Sequence, residues 1–217
     1  MAIQGIIFDM DGLMVDSEPL ARQAWLDFLA KHGYTMEQAA FDAILGLRLM
    51  DSARVIKQHF DLPLTVEQVA TQRSELFLAA LAGNLQPMPG LHQLLNAIDA
   101  RGLPRAVATS SPAFYAPVAL REVGAAEGFV AIITGDTVAQ GKPAPDIYLA
   151  AAAALDLPPM ACLALEDSPH GLHAAKAAGM RCIAVPNALS ADLDLSAADA
   201  VLSSLADVAA RLDEWLE

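Results

Sequence analysis

Two aspartates, Asp9 and Asp11, flank a single methionine and are followed by Gly12. A carboxylate in such a turn can attack phosphorus and form an acyl phosphate, dividing a transfer into two steps. A second carboxyl group beside it can protonate the leaving oxygen and later activate water. Alone, Asp-x-Asp-Gly is weak evidence, because a solvated acidic turn and a sugar-transfer Asp-x-Asp motif read the same way. A second acidic pair, Glu166-Asp167, supplies hard oxygens of the kind Mg²⁺ takes: few carboxylates, with room for water and a substrate phosphate. The same segment also reads as a helix start, with Asp167 or Ser168 as N-cap and Pro169 in the first turn. Lys142 sits in Gly-Lys-Pro-Ala-Pro-Asp, where two prolines stiffen the loop. Between a phosphate and a carboxylate nucleophile it would neutralise their repulsion, although a lone lysine is more often simply solvated. Thr109 and the amide of Ser110 precede Pro112 and suit phosphate oxygens at a helix start; Ser/Thr pairs at such turns serve equally often as caps.

These residues share a position relative to the hydrophobic pattern. Apolar runs of strand type cover residues 4–8, 105–108, 130–134, 162–165 and 182–185, with a weaker one at 200–202. Each of the four polar signals follows one of these runs. Helical patterns lie between them: 91–101 ending at Gly102, a helix from Pro112 toward Gly124 with a kink expected at Pro117, then 144–155, and 170–178 ending at Gly179. A last helix would carry Leu205, Val208, Ala209, Leu212 and Trp215 on one face. Alternating strands and helices predict an α/β fold, a doubly wound parallel sheet of Rossmann-like type covered on both faces. Ligands of such sheets gather at the carboxyl ends of the strands, so the four signals are expected to converge.

Residues 17–85 break the alternation. Ala21, Ala24, Trp25 and Phe28 repeat at helical spacing, and Thr35–Gln38 and Thr65–Gln68 each read as a capping box. The expected organisation is an α/β core of residues 1–16 and 86–217 with an inserted all-helical cap over 17–85. Trp25 and Phe28 are expected to pack inside that insert. His170 and His173 are expected on a helix surface, and Arg48 is the insert's best candidate for touching a substrate.

The totals restrict partners. Of 217 residues, 55% are hydrophobic and 18% charged, which supports a globular core. The formal net charge of −13 repels nucleic acid and anionic membrane surfaces, so neither is expected as a partner, and a phosphate site must be locally positive. Cys162 and Cys182 lie in apolar stretches and read as buried free thiols. No basic leader opens the chain, and the Ala-rich run at 147–155 is too short to span a bilayer. A cytoplasmic monomer is the expectation.

Four ordered segments, Asp9-Met-Asp-Gly-Leu-Met-Val-Asp-Ser-Glu18, Ala-Thr109-Ser-Ser, Gly-Lys142-Pro-Ala-Pro-Asp and Glu166-Asp167-Ser-Pro-His-Gly, resemble the motifs of the haloacid dehalogenase-like hydrolase superfamily. The resemblance runs from residue 3 to about residue 186 and is strongest to the β-phosphoglucomutase-like branch with its sugar-phosphate phosphatases. It implies Asp9 as nucleophile and magnesium ligand, and Asp11 as general acid/base with its backbone carbonyl on the metal. It further implies phosphate binding by Thr109 and Ser110, a bridging role for Lys142, and Asp167 completing the metal site with Glu166 beside it or joined through water. Dehalogenase members characteristically lack the acid matching Asp11, so the resemblance favours phosphotransfer. The expected activity is Mg²⁺-dependent hydrolysis of a small phosphate ester. A phosphosugar mutase is the alternative: Arg48 resembles a mutase loop residue, but Ala21 stands where mutases carry a cap histidine, and Glu18-Pro19 looks like the phosphatases. A non-catalytic phosphometabolite-binding protein is the third reading, weakened by the presence of Asp9, Asp11, Lys142 and Asp167.

Overall fold

The computed structural model describes residues 2–44 and 47–216. Six strands form one sheet: β1 (Gly5–Phe8), β2 (Arg105–Thr109), β3 (Phe129–Thr134), β4 (Cys162–Glu166), β5 (Arg181–Ala184) and β6 (Ala200–Val201). Their order is β3-β2-β1-β4-β5-β6 and every adjacent pair is parallel. This is a doubly wound, Rossmann-like sheet, with the direction of winding reversing between β1 and β4. β1, β2 and β4 are buried at every residue, as befits central strands covered on both faces, whereas edge strand β3 is mostly half-buried.

Helices α5 (Leu91–Asp99), α6 (Ala116–Glu122), α7 (Asp146–Ala154) and α8 (Pro169–Ala177) occur in the connections between successive strands, and α9 (Leu205–Ala210) and α10 (Asp213–Leu216) follow β6. Against one face of the sheet, Ile7, Ala106, Ala108 and Ala164 pack with Tyr148, Ala151 and Ala152 of α7 and with Leu172 and Ala175 of α8. The alanines explain the close fit, since they place little side-chain bulk between helix and strand. Cys162 and Cys182 are buried free thiols in this layer.

The chain divides into two units, residues 1–16 with 86–217, and residues 17–85. Among the described residues the second unit is all-helical: α1 (Glu18–Lys31), α2 (Gln38–Asp42), α3 (Leu49–His59) and α4 (Val66–Leu81). Its core holds Trp25, Phe28, Leu29, Phe41, Ile56 and Val69, with the Trp25 and Phe28 rings edge to face at 5.9 Å. No helix among the described residues is long and apolar enough to cross a membrane.

Three local expectations change. Pro117 does not kink a helix, because α6 starts only at Ala116 and puts the proline in its first turn, where the missing N–H costs nothing. Thr65 and Gln68 form the reciprocal capping box of α4, but α2 begins at Gln38 behind Glu37, so Thr35 caps nothing there. The terminal helix is broken at Arg211, yet Leu205, Val208, Ala209 and Leu212 all remain buried, so the apolar face outlasts the break.

Candidate active site

The turn leaving β1 is pinned by its apolar residues. Met10, Leu13, Met14 and Val15 are buried, Gly12 takes a left-handed φ of +84°, and the Met14 amide donates to the Met10 carbonyl at 2.8 Å. That leaves Asp9 and Asp11 as the turn's polar side chains at the carboxyl end of β1. Glu166 ends β4 and Asp167 follows it, so the two acidic pairs flank the point where the winding reverses. Asp9, Glu166 and Asp167 bring carboxylate oxygens within 4.8 Å of one another.

A buried cation, Lys142, serves this cluster. Lys142 Nζ lies 2.5 Å from Asp9 Oδ1 and 2.6 Å from Glu166 Oε1. Burial works against the ammonium charge, but Asp9 and Glu166 outweigh it and hold the lysine above its usual pKa. Asp9 is pushed up to about 8, by burial first, with Glu166 and Asp11 adding repulsion that Lys142 opposes. The all-carboxylate donor set of Asp9, Glu166 and Asp167 suits a hard divalent cation.

Glu166 is fully buried and saturated with donors. Oε1 accepts from Lys142 and from the Tyr148 hydroxyl at 2.7 Å; Oε2 accepts from the Asp167 amide (3.1 Å), the Ser168 amide (3.3 Å) and the Ser168 hydroxyl (3.1 Å). It anchors Lys142. Ser168 also caps α8 by accepting from the Gly171 amide, so the helix-start reading of this segment holds together with the site reading. A Cβ on Gly171 would fall on the Glu166 carboxylate, so this glycine makes the space that Glu166 occupies.

Asp11 is held by three hydroxyls. Tyr115 donates to Oδ1 at 2.8 Å, while Ser111 (2.7 Å) and Thr109 (3.3 Å) donate to Oδ2. Thr109 ends β2, and its Oγ1 accepts from the Ser111 amide, which shapes the loop carrying Ser110. Gly135 and Asp136 brace that loop from the end of β3. The Gly135 amide donates to the Ser111 carbonyl at 3.1 Å, and both Asp136 carboxylate oxygens accept from the Ala113 amide at 3.2 Å.

The structure thus brings Asp9, Asp11, Thr109, Ser110, Lys142, Glu166 and Asp167 to the carboxyl ends of neighbouring strands. Ser111 belongs to the Thr109-Ser110-Ser111 run that the sequence marks, whereas no spacing in the sequence distinguishes Tyr115, Tyr148 or Asn187; Tyr148 reads as one more core residue of a helix. Arg48 lies in the helical unit, half-exposed and paired with Asp51 at 3.2 Å; Leu45 and Gly46 lie outside the described residues. His170 and His173 are exposed on α8.

A family model described as haloacid dehalogenase-like hydrolase matches residues 3–179. The chain belongs to this family. The hydrolase is 37% identical over 209 residues to a probable pseudouridine-5′-phosphatase of Drosophila melanogaster, covering 93% of this chain and 89% of that protein. It is 35% identical over 213 residues to hexitol phosphatase A of Escherichia coli, covering 96% and 94%. The crystal structure of CbbY from Rhodobacter sphaeroides in complex with phosphate superposes with a TM-score of 0.86 at 32% identity, covering 95% of this chain and 96% of that one. This hydrolase is a phosphatase acting on phosphoric monoesters.

Proposed function

We propose that this phosphatase hydrolyses a small phosphorylated metabolite, a sugar phosphate or similar monoester, with magnesium and through an aspartyl phosphate on Asp9. The observation that carries the reading is the pairing of Asp9 with a buried Lys142, beside a second carboxylate held by the phosphate-loop hydroxyls. Asp9 and Asp167, with the Asp11 carbonyl, would hold Mg²⁺, which when bound supplies positive charge against the repulsion between a phosphate and this acidic cluster. Glu166 is spoken for by its five donors and serves as the lysine's anchor.

Asp9 attacks phosphorus in line while Asp11 gives its proton to the leaving alcohol. Lys142 and the Thr109–Ser110 loop take up the charge of the transferring phosphoryl group. The Thr109 hydroxyl, which points at Asp11 in the resting site, turns to the phosphate when substrate binds. Asp11 then accepts a proton from water, which hydrolyses the aspartyl phosphate and restores the enzyme. In this reading residues 17–85 act as the cap, and Arg48 is the candidate for substrate contact.

The test is phosphate release from a panel of sugar phosphates, hexitol phosphates, nucleoside monophosphates and β-glucose 1-phosphate, with and without Mg²⁺, the glucose reactions being followed also for glucose 6-phosphate. Magnesium-dependent release, abolished in Asp9→Asn, is the expected outcome. Glucose 6-phosphate formed without matching phosphate release would replace this reading with a mutase. Retained turnover in pure Asp9→Asn would remove Asp9 from the nucleophile's role.

A further inference from the structure

We infer that Asn187 is a positioning residue that orients the Asp167 carboxylate for magnesium. The inference rests on the reading of Asp167 as a metal ligand given above. Asn187 lies three residues beyond β5, on the neighbour of β4, and its carboxamide is engaged at both ends. Nδ2 donates to Asp167 Oδ2 at 2.7 Å and to the Gly12 carbonyl at 3.1 Å. Oδ1 accepts from the Leu189 amide at 2.8 Å and from the Ser190 amide at 3.2 Å. The Asn187 amide in turn donates to the Ser190 hydroxyl at 3.0 Å.

This pattern fixes which end of the carboxamide is which. Reversing it would set an acceptor oxygen against a carboxylate and a carbonyl, and a donor against two N–H groups, losing all four contacts. The side chain therefore ties the turn after β1 to the acid after β4, the two segments that carry the proposed ligands. The fit is close: a Cβ on Gly12 would clash with both Asp167 Oδ2 and Asn187 Nδ2. An amide is suited to the task because it supplies a donor without a charge. A lysine in its place would neutralise Asp167 and compete with the cation, whereas a neutral donor fixes one oxygen and leaves the carboxylate anionic. Groups that hold a ligand in this way typically contribute about 10–100-fold in metal affinity.

The experiment is calorimetric titration of Mg²⁺ alone into the full chain, with no substrate present, for wild type, Asn187→Ser, Asn187→Ala and Ser190→Ala. Serine at position 187 keeps a hydroxyl that can accept from the amide two residues on, so the turn survives while the reach to Asp167 is lost. Asn187→Ser and Asn187→Ala are expected to raise the magnesium dissociation constant about 10-fold or more, and Ser190→Ala, which loosens the turn and spares the carboxamide, to leave it near the wild-type value. If Asn187→Ala does not fold, Asn187→Ser decides. Wild-type affinity in Asn187→Ser, or equal weakening in Ser190→Ala, would overturn the inference and leave the magnesium reading intact. No magnesium uptake by the wild-type protein would overturn both.

Discussion

Replacing Gly171 by alanine sets two physical effects against each other with opposite signs. Gly171 sits in the first turn of α8 and its φ is not left-handed, so helix propensity alone predicts a gain of up to about 1 kcal/mol for alanine. The structure predicts a loss. The added methyl would coincide with the Glu166 carboxylate, which is wholly buried and accepts five hydrogen bonds. Hydrogen bonds to a charged group contribute about 1.5–3 kcal/mol each. Swinging the carboxylate clear of the methyl breaks at least two of them, a cost of about 3–6 kcal/mol. The net expectation is a loss of about 2–5 kcal/mol, a large share of the roughly 5–15 kcal/mol typical of a domain. Urea denaturation of wild type and Gly171→Ala measures it. Turnover should fall as well, since Lys142 loses its Glu166 contact. The same substitution in a Glu166→Ala background separates the causes: with the carboxylate gone, alanine at 171 should be neutral or stabilising. A Gly171→Ala protein as stable as wild type, or a penalty that persists without Glu166, would refute the steric argument.

Three further outcomes are expected. Because burial raises the Asp9 carboxyl to about 8 while an unfolded aspartate titrates at about 3.9, the metal-free folded state retains a proton through that window that the unfolded chain releases; stability then falls as pH rises. Asp9→Asn cannot ionise, so its melting temperature in EDTA should exceed that of wild type by more at pH 8 than at pH 5; a pH-independent difference would contradict the assignment. Tyr115→Phe deletes one donor to Asp11 and little volume, so kcat should fall several-fold, most for substrates with poor leaving groups, with KM little changed; a loss confined to KM would argue that Tyr115 contacts substrate instead. Thr65→Ala removes the hydroxyl acceptor of the capping box and should destabilise α4 by about 1 kcal/mol, read by chemical denaturation; no change would mean that the box is dispensable.

Much of this architecture is set by local pattern. The runs that became β1, β2 and β4 are short, apolar and bounded by polar residues, and a strand buried on both faces has to be written that way. Asp9, Asp11, Thr109 and the Glu166-Asp167 pair were legible because each follows such a run, and parallel strands deliver their carboxyl ends to one edge; Lys142 stands instead in the proline-stiffened loop between β3 and α7. Where a local signal had a competitor, the sequence was less decisive: Thr35–Gln38 carries the same capping letters as Thr65–Gln68, yet only the second forms, since a cap needs the helix to begin at the right residue.

Tertiary structure alone decided the partners of those residues. Tyr148 is distant in sequence from Glu166, and Asn187 from Gly12, so no period or spacing joins them; sheet order and register do. The sequence offered Glu166 as a neighbour of the metal, and only its packing against the Gly171 backbone shows a carboxylate filled by donors and turned to Lys142. Likewise Asp11 could be assigned a proton-transfer role from its spacing to Asp9, but the hydroxyls that hold it come from the end of β2 and the segment after it, which strand pairing brings alongside β1. Chemistry-bearing residue types are written locally because turns and strand ends are local. The hydrogen bonds that orient them are long-range, and a chain acquires those only when the sheet closes.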